Sequence, residues 1–229
     1  MEWRSAFWTI TAIGIISLIG VMVLVPRIQA APSRLSSEIG VLRRPAVLVA
    51  LLMTIFGFAG VFTAFTYIKP ILVDISGFPV DSVAYILVLF GIGITIGNLY
   101  GGKLADRALM PSLIGILVLL AATLALLGVL SPWKIATLIL VFLLGVAAFG
   151  TVPGLQLHML NTAREAPTLA STLNIAAFNL GNALGAYLGG IVIDFGIGGG
   201  LRAVPWSASL VTLIGILFTL WGNRQSRRG

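Results

Sequence analysis

The chain has 229 residues, of which 59% are apolar and only 9% charged, with a mean hydropathy of +1.09. A soluble domain is typically ~45–50% apolar and ~25% charged, so a cytosolic enzyme, a coiled coil, a collagen-like repeat and a disordered chain are all excluded. The 14 Lys and Arg outnumber 7 Asp and Glu, for a net charge of +7, and the absence of cysteine excludes a disulfide framework or a thiolate site.

Seven apolar stretches follow one another, each long enough for a helix that crosses a bilayer of about 20 residues' thickness. They are Ala6–Val25, Ala46–Tyr67, Val83–Tyr100, Leu113–Leu130, Ile135–Leu155, Leu169–Ile193 and Ala203–Trp221. None alternates like a barrel strand. Helices are therefore expected, because in lipid only helices and closed barrels satisfy their own backbone groups. The first stretch follows Glu2 and Arg4 rather than a purely basic segment, so it reads as a span and not a cleaved leader.

The connection from Pro26 to Pro45 carries Arg27, Arg34, Arg43 and Arg44. With Lys103, Arg107, Arg164, Arg224, Arg227 and Arg228 it puts ten basic residues on one side of the membrane. Arg4, Lys69, Lys134 and Arg202 are the four on the other. The excess of Lys and Arg inside predicts the N-terminus outside and the C-terminus in the cytoplasm. The basic residues thus read as topology signals, and no nucleic-acid partner is expected. The bilayer itself is the first partner.

The second stretch mixes Phe56, Phe58, Phe62 and Phe65 with Thr54, Thr63, Thr66 and Tyr67. Such a lining suits either an amphiphilic cavity or a packed core. The third runs into Gly102-Lys103-Leu104-Ala105-Asp106-Arg107, a short charged connection suited to a lock at a helix end. The fifth holds Gly145, Phe149, Pro153 and Gln156, and Pro153 predicts a kink or an unwound turn. The sixth carries Asn174, Asn179 and Asn182. At helical pitch, Asn174, Phe178, Asn182, Gly185 and Gly189 share one arc, while Leu173, Leu180, Leu184, Tyr187 and Ile191 share the arc expected to face lipid. Polar residues there serve either interhelical hydrogen bonds or substrate contacts.

The third and sixth stretches both end in GGxxxD, at Gly101–Asp106 and Gly189–Asp194. They lie three spans apart and so run in opposite directions, as an inverted repeat of three helices requires. Spans two to four form one triplet, spans five to seven the other, and the first is left over. No span has a charged residue near its middle. HExxH, GxGxxG after a strand, a P-loop and a Ser/His/Asp set are all missing, and the single His158 offers no metal cluster, so no catalytic residue, cofactor or metal is expected.

Gly101-Gly102-Lys103-Leu104-Ala105-Asp106-Arg107 resembles the second copy of the loop motif of the major facilitator superfamily. Pro153 with Gln156 nearby, Ala166-Pro167-Thr168-Leu169-Ala170-Ser171, Phe178-Asn179-Leu180-Gly181-Asn182-Ala183-Leu184-Gly185, Leu42-Arg43-Arg44-Pro45 and Phe65-Thr66-Tyr67-Ile68-Lys69-Pro70 together resemble its arabinose-efflux-permease and drug:proton-antiporter branch. The resemblance covers essentially the whole chain. Two departures stand out: Ala108-Leu109-Met110 replaces the family's glycine and basic pair, and Lys69 stands where relatives have a small residue.

The resemblance implies an all-α membrane protein of seven helices, six of them a half bundle of two inverted triplets. Residues 1–25 would be the last helix of an N-terminal half, 26–45 the central cytoplasmic loop, 46–222 the C-terminal half, and 223–229 a basic tail. It implies part of a secondary transporter in the inner membrane, exporting sugars, nucleosides or drugs in exchange for protons, as a truncated or fragmentary chain that needs a separate N-terminal half. It assigns substrate-cavity roles to Phe62, Thr66 and Gln156, with Asn174 and Asn182 at the flanking contact, and a cytoplasmic gate to Gly102, Asp106 and Arg107. The alternative is a seven-helix membrane protein that does not transport, either a receptor or a subunit that modulates a partner. Against a retinal receptor, the last span has no lysine.

Overall fold

The computed structural model describes residues 3–24, 40 and 44–226. The connection expected at 26–45 lies outside these apart from residues 40, 44 and 45, as do residues 227–229 of the expected tail. The chain divides into two units, Met1–Arg34 and Leu35–Gly229. Seven helices are long and apolar enough to cross a membrane, and there is no strand among the described residues. The protein is an all-α membrane protein.

The first unit contains α1, Trp3–Leu24. Its Thr9, Thr11 and Ser17 hydroxyls each donate to the carbonyl four residues earlier, at 2.8–2.9 Å. This is how a lone hydroxyl is accommodated in lipid without an outside partner.

The second unit holds α2 (Pro45–Phe65), α3 (Val83–Arg107), α4 (Leu109–Leu130), α5 (Lys134–Thr162), α6 (Pro167–Asp194) and α7 (Val204–Ser226). The helices overrun the apolar stretches by up to about two turns, because the backbone must stay hydrogen-bonded through the headgroup region where polar side chains already occur. For the same reason α7 carries the expected tail as helix to Ser226. Pro45 and Pro167 each open a helix, where the missing N–H is not needed.

Two local features differ from expectation. α5 runs unbroken through Pro153, so there is no unwound turn there. Only the Phe149 carbonyl loses its intrahelical donor, too little to unwind a helix packed on several sides. The irregularity falls in span two instead. α2 stops at Phe65, a turn at Thr66 and Tyr67 leads to a short helical piece Ile68–Pro70, and a π-helical turn spans Ile71–Ile75. Pro70 lacks the N–H that an unbroken ladder would use.

The packing has the exchange symmetry of an inverted repeat. α2 packs along α6, and α5 packs along α3. α2 meets α7 as α5 meets α4, and α4 and α7 meet each other. Swapping the triplets α2–α4 and α5–α7 exchanges the first two pairs of contacts and maps the α4–α7 contact onto itself. The two long contacts are glycine-lined. Gly93, Gly97 and Gly101 of α3 lie against α5, where a Cβ would strike the carbonyl oxygens of Phe142, Val146 and Gly150. Gly181, Gly185 and Gly189 of α6 lie against α2, at Ile55, Ala59 and Thr63. Each triplet repeats every four residues, and Asp106 and Asp194 each follow its last glycine by five. In lipid there is no hydrophobic drive between helices, so close approach at small residues supplies the packing.

The opposite arc of α6 behaves as its sequence suggests, with Leu180, Leu184 and Tyr187 exposed. Leu173 departs from it. It packs with Val47, Ala50 and Met159, because the first turns of α6 lie against both α2 and α5.

Gly97→Val and Gly185→Val should each lower stability by about 1–3 kcal/mol, the usual cost of overpacking. Gly115→Ala, which meets nothing within 4 Å, should be near neutral. Thermal unfolding in detergent, followed by tryptophan fluorescence, checks the contrast.

Candidate functional site

The polar residues expected on α5 and α6 come together with one from α2. Asn174 is fully buried on α6, one of its two polar groups facing each neighbouring helix. The Thr54 hydroxyl lies 2.7 Å from Asn174 Oδ1 and 3.2 Å from its own Ala50 carbonyl. Its single proton favours the nearer acceptor. Asn174 Nδ2 donates to Gln156 Oε1 at 2.7 Å, and Gln156 Nε2 donates to Ser171 Oγ at 2.9 Å. The result is a chain of donors running from α2 through α6 to α5 and back to α6. It carries no formal charge. Thr54 lies nine residues inside the start of α2, or about 13 Å along the axis at 1.5 Å per residue.

One turn deeper is a cluster of phenylalanines. Phe58 of α2 meets Phe178 of α6 edge-on at 4.9 Å and Phe149 of α5 at 6.0 Å. It also meets Phe62 at 5.8 Å, Phe62 meets Phe65 at 6.0 Å, and Phe65 stacks on Phe90 of α3 at 4.5 Å. Phe62 is half-buried. Edge-to-face pairs of this kind hold the rings in place beyond simple burial. The site is therefore a polar chain beside an aromatic wall, contributed by α2, α5 and α6.

The remaining expected site residues are placed as follows. Thr66 is exposed beyond the end of α2, and its hydroxyl donates to the Phe62 carbonyl at 2.6 Å, leaving its lone pairs open. Asn182 is half-buried two turns along α6 from Asn174, and its Oδ1 is buried without a hydrogen-bond donor among the described residues. Gly102 lies beside α5, where a Cβ would sit 3.8 Å from Pro153 Cβ. The loop-motif glycine and the α5 proline are thus neighbours. Asp106 and Arg107 are exposed in the last turn of α3, with no hydrogen bond or ion pair among the described residues. The turn that follows is held instead by Ser112, whose hydroxyl donates to the Leu104 carbonyl at 2.8 Å.

Thr54 and Ser171 were not singled out as site residues by sequence. Ser171 precedes Asn174 by three residues and so shares its face, a spacing that was readable. Thr54 had no such signal, because its partners lie far away in the chain.

A model of the Major Facilitator Superfamily matches residues 1–176. The chain is 40% identical over 224 residues to the inner membrane transport protein YdhP of Escherichia coli O157:H7, covering 97% of this chain and 57% of that protein. It is 35% identical over 232 residues to the uncharacterized MFS-type transporter YtbD of Bacillus subtilis (strain 168), covering 99% and 58%. It is 29% identical over 218 residues to the purine ribonucleoside efflux pump NepI of Salmonella paratyphi B, covering 94% and 54%. The chain spans rather more than half the length of these relatives.

Asn174→Leu should cost about 1–3 kcal/mol, because it leaves the Gln156 carbonyl without a donor in a half-buried place and Thr54 with only its longer bond to Ala50. A double-mutant cycle of Asn174→Ala with Gln156→Ala should give a coupling of about 0.5–2 kcal/mol. Unfolding midpoints in detergent for the four proteins of the cycle measure it, and strict additivity would refute the chain of bonds.

Proposed function

The chain belongs to the Major Facilitator Superfamily, a family of transporters, and from that premise we propose that it supplies the C-terminal six-helix half of a secondary transporter exporting small organic molecules. α1 is then the last helix of the N-terminal half. α2 and α5 line the central cavity, α3 and α6 flank it, and transport is a rocking of two halves about a midplane site.

The observation that carries this reading is the uncharged donor chain Thr54–Asn174–Gln156–Ser171 set beside the phenylalanines of α2, α5 and α6. Apolar walls with a few placed polar groups suit a small neutral molecule. Phe62 offers a ring face for stacking, Gln156 the amide that reads hydroxyl or ring-nitrogen groups, and Thr66 an open acceptor at the rim. Asn174 positions Gln156, and Asn182 brings an unsatisfied acceptor to the flanking contact. Sugars, nucleosides and aromatic drugs fit this chemistry, and the name of the NepI relative supports nucleosides among them.

Exchange for protons is part of the proposal, with the coupling groups supplied by the N-terminal half, since α2–α7 carry no carboxylate in mid-span. Gly102, Asp106 and Arg107 form the cytoplasmic gate, opposite Pro153. The membrane is the inner membrane, with the N-terminus outside and the C-terminus inside, which places the basic ends of α2, α3, α5 and α7 in the cytoplasm.

Proteoliposomes test the reading. Co-reconstituted with a polypeptide carrying the five preceding spans of a relative, the chain should support efflux of a labelled nucleoside or sugar driven by a proton gradient. Alone, it should support none, and transport by the chain alone would overturn the division of labour. In the paired system Phe62→Ala and Gln156→Ala should each change KM by about 10-fold or more for at least one substrate, as expected when a buried contact of ~1–3 kcal/mol is lost.

A further inference from the structure

At the end of the bundle where α2, α4 and α6 begin and α5 finishes, there is a cavity of about 470 Å3 that the transport reading does not use. One wall is polar, with His158, Asn161 and Arg164 from the last turns of α5 and just beyond. The opposite wall is apolar, with Val49 of α2 and Leu109 and Met110 of α4.

The electrostatics of the polar wall are one-sided. Glu165, beside Arg164 in sequence, is held on both oxygens by Arg44, at 3.0 Å from Nη1 to Oε1 and 2.7 Å from Nη2 to Oε2. That bidentate pairing leaves Arg164 with no carboxylate partner among the described residues. Among the described residues its side chain donates to Asn161 Oδ1 at 3.3 Å, which leaves Asn161 Nδ2 to donate elsewhere. The His158 side chain makes no hydrogen bond among the described residues, and only its backbone carbonyl is engaged, by Thr162. Asp106, the nearest carboxylate in sequence to α4, is exposed and does not line the cavity. The first turns of α2 and α4 also border it, and their early N–H groups offset the last carbonyls of α5 and α7 at the same end. Side-chain donors therefore converge from α5 and the turn after it, with no carboxylate among the described residues lining the cavity.

We propose that this cavity binds a phosphate diester anion, the headgroup of an acidic phospholipid from the leaflet in which α5 ends. Arg164, Asn161 and His158 donate to the phosphate oxygens, and the Val49–Leu109–Met110 wall receives the glycerol and the first methylenes. The site lies at helix-end depth, where headgroups sit, and basic pockets between membrane helices at this level suit such ligands.

The full chain, purified in an uncharged detergent, is titrated with phosphatidylglycerol, phosphatidylcholine or inorganic phosphate. Bound lipid is counted by native mass spectrometry, and the unfolding midpoint is recorded in parallel. Phosphatidylglycerol should bind and raise the midpoint, phosphatidylcholine should bind more weakly, and inorganic phosphate should have little effect. Arg164→Gln and His158→Gln should each weaken phosphatidylglycerol binding about 10-fold, whereas Arg202→Gln, at the opposite end of the bundle, should not change it. Met110→Trp keeps the charges but fills the apolar wall, and should weaken lipid binding too, so a folding defect in one variant leaves the other decisive. Equal binding by wild type, Arg164→Gln and Met110→Trp would overturn the site. Stabilisation by inorganic phosphate equal to that by the lipid would overturn the lipid as its ligand.

Discussion

Two helices in lipid can come only as close as the side chains between them allow. That limit governs the architecture here. Where α3 meets α5 and α6 meets α2, glycines every four residues remove the side chains, and the facing carbonyls occupy the space a Cβ would take. Dispersion and weak Cα–H···O contacts then act over the length of the helices. The other helices fit around these two closely packed pairs. Bulky leucines fill the larger spaces, as at Leu117, Leu120, Leu124 and Leu144 in the main core. Because the two pairs are related by exchange of triplets, so is the packing around them.

The same closeness makes the polar chain possible. Thr54, Asn174 and Gln156 are short or medium-length side chains on three different helices, and they bridge only if the backbones are already near. Asn174 sits two turns before Gly181 on the buried stripe of α6, so the glycine contact fixes its distance from α2. The polar chain satisfies groups that would otherwise be costly in lipid. It remains neutral, which suits a binding surface better than an ionic lock. The residue that ties α2 to α5 thus also orients Gln156.

Much of this was legible in the sequence. Span number, the arc of α6 that packs and the triplet repeat follow from hydropathy and periodicity, which depend on local spacing. The glycines were read as an echo; their role in close approach needed the neighbours' backbones. Gln156 and Asn174 received their cavity roles from the resemblance, and the two side chains do meet each other. Thr54 was not chosen, since a threonine in an apolar helix usually bonds its own preceding turn, as Thr63 does to Ala59. Of the two outcomes Pro153 allowed, a kink or an unwound turn, the unwound turn does not occur, because neighbouring helices hold its own helix together. The break at Thr66 and Tyr67 carried no glycine, and its only mark, Pro70, lies several residues later. His158 attracted notice only as a failed metal ligand, because its cavity is built from helices that no local pattern relates.

The crosswise pairing has a consequence for how the chain is made. Helices leave the ribosome in order, yet α2 finds its close partners only in α6 and α7, and the glycine face of α3 finds its own only in α5. When α4 has entered the bilayer, the first triplet is complete as a list of spans but has none of its long glycine contacts. The glycine face of α3 then meets lipid or whatever else is near, and the Thr54 hydroxyl has only its own helix to bond. Assembly cannot proceed as one finished triplet followed by another, and the half bundle closes only once α6 and α7 are inserted. The nascent protein thus passes through a stage at which two adhesive helix faces are bare in the membrane. During synthesis this is the interval in which mispairing with other membrane proteins, or attack by membrane proteases, has its greatest opportunity.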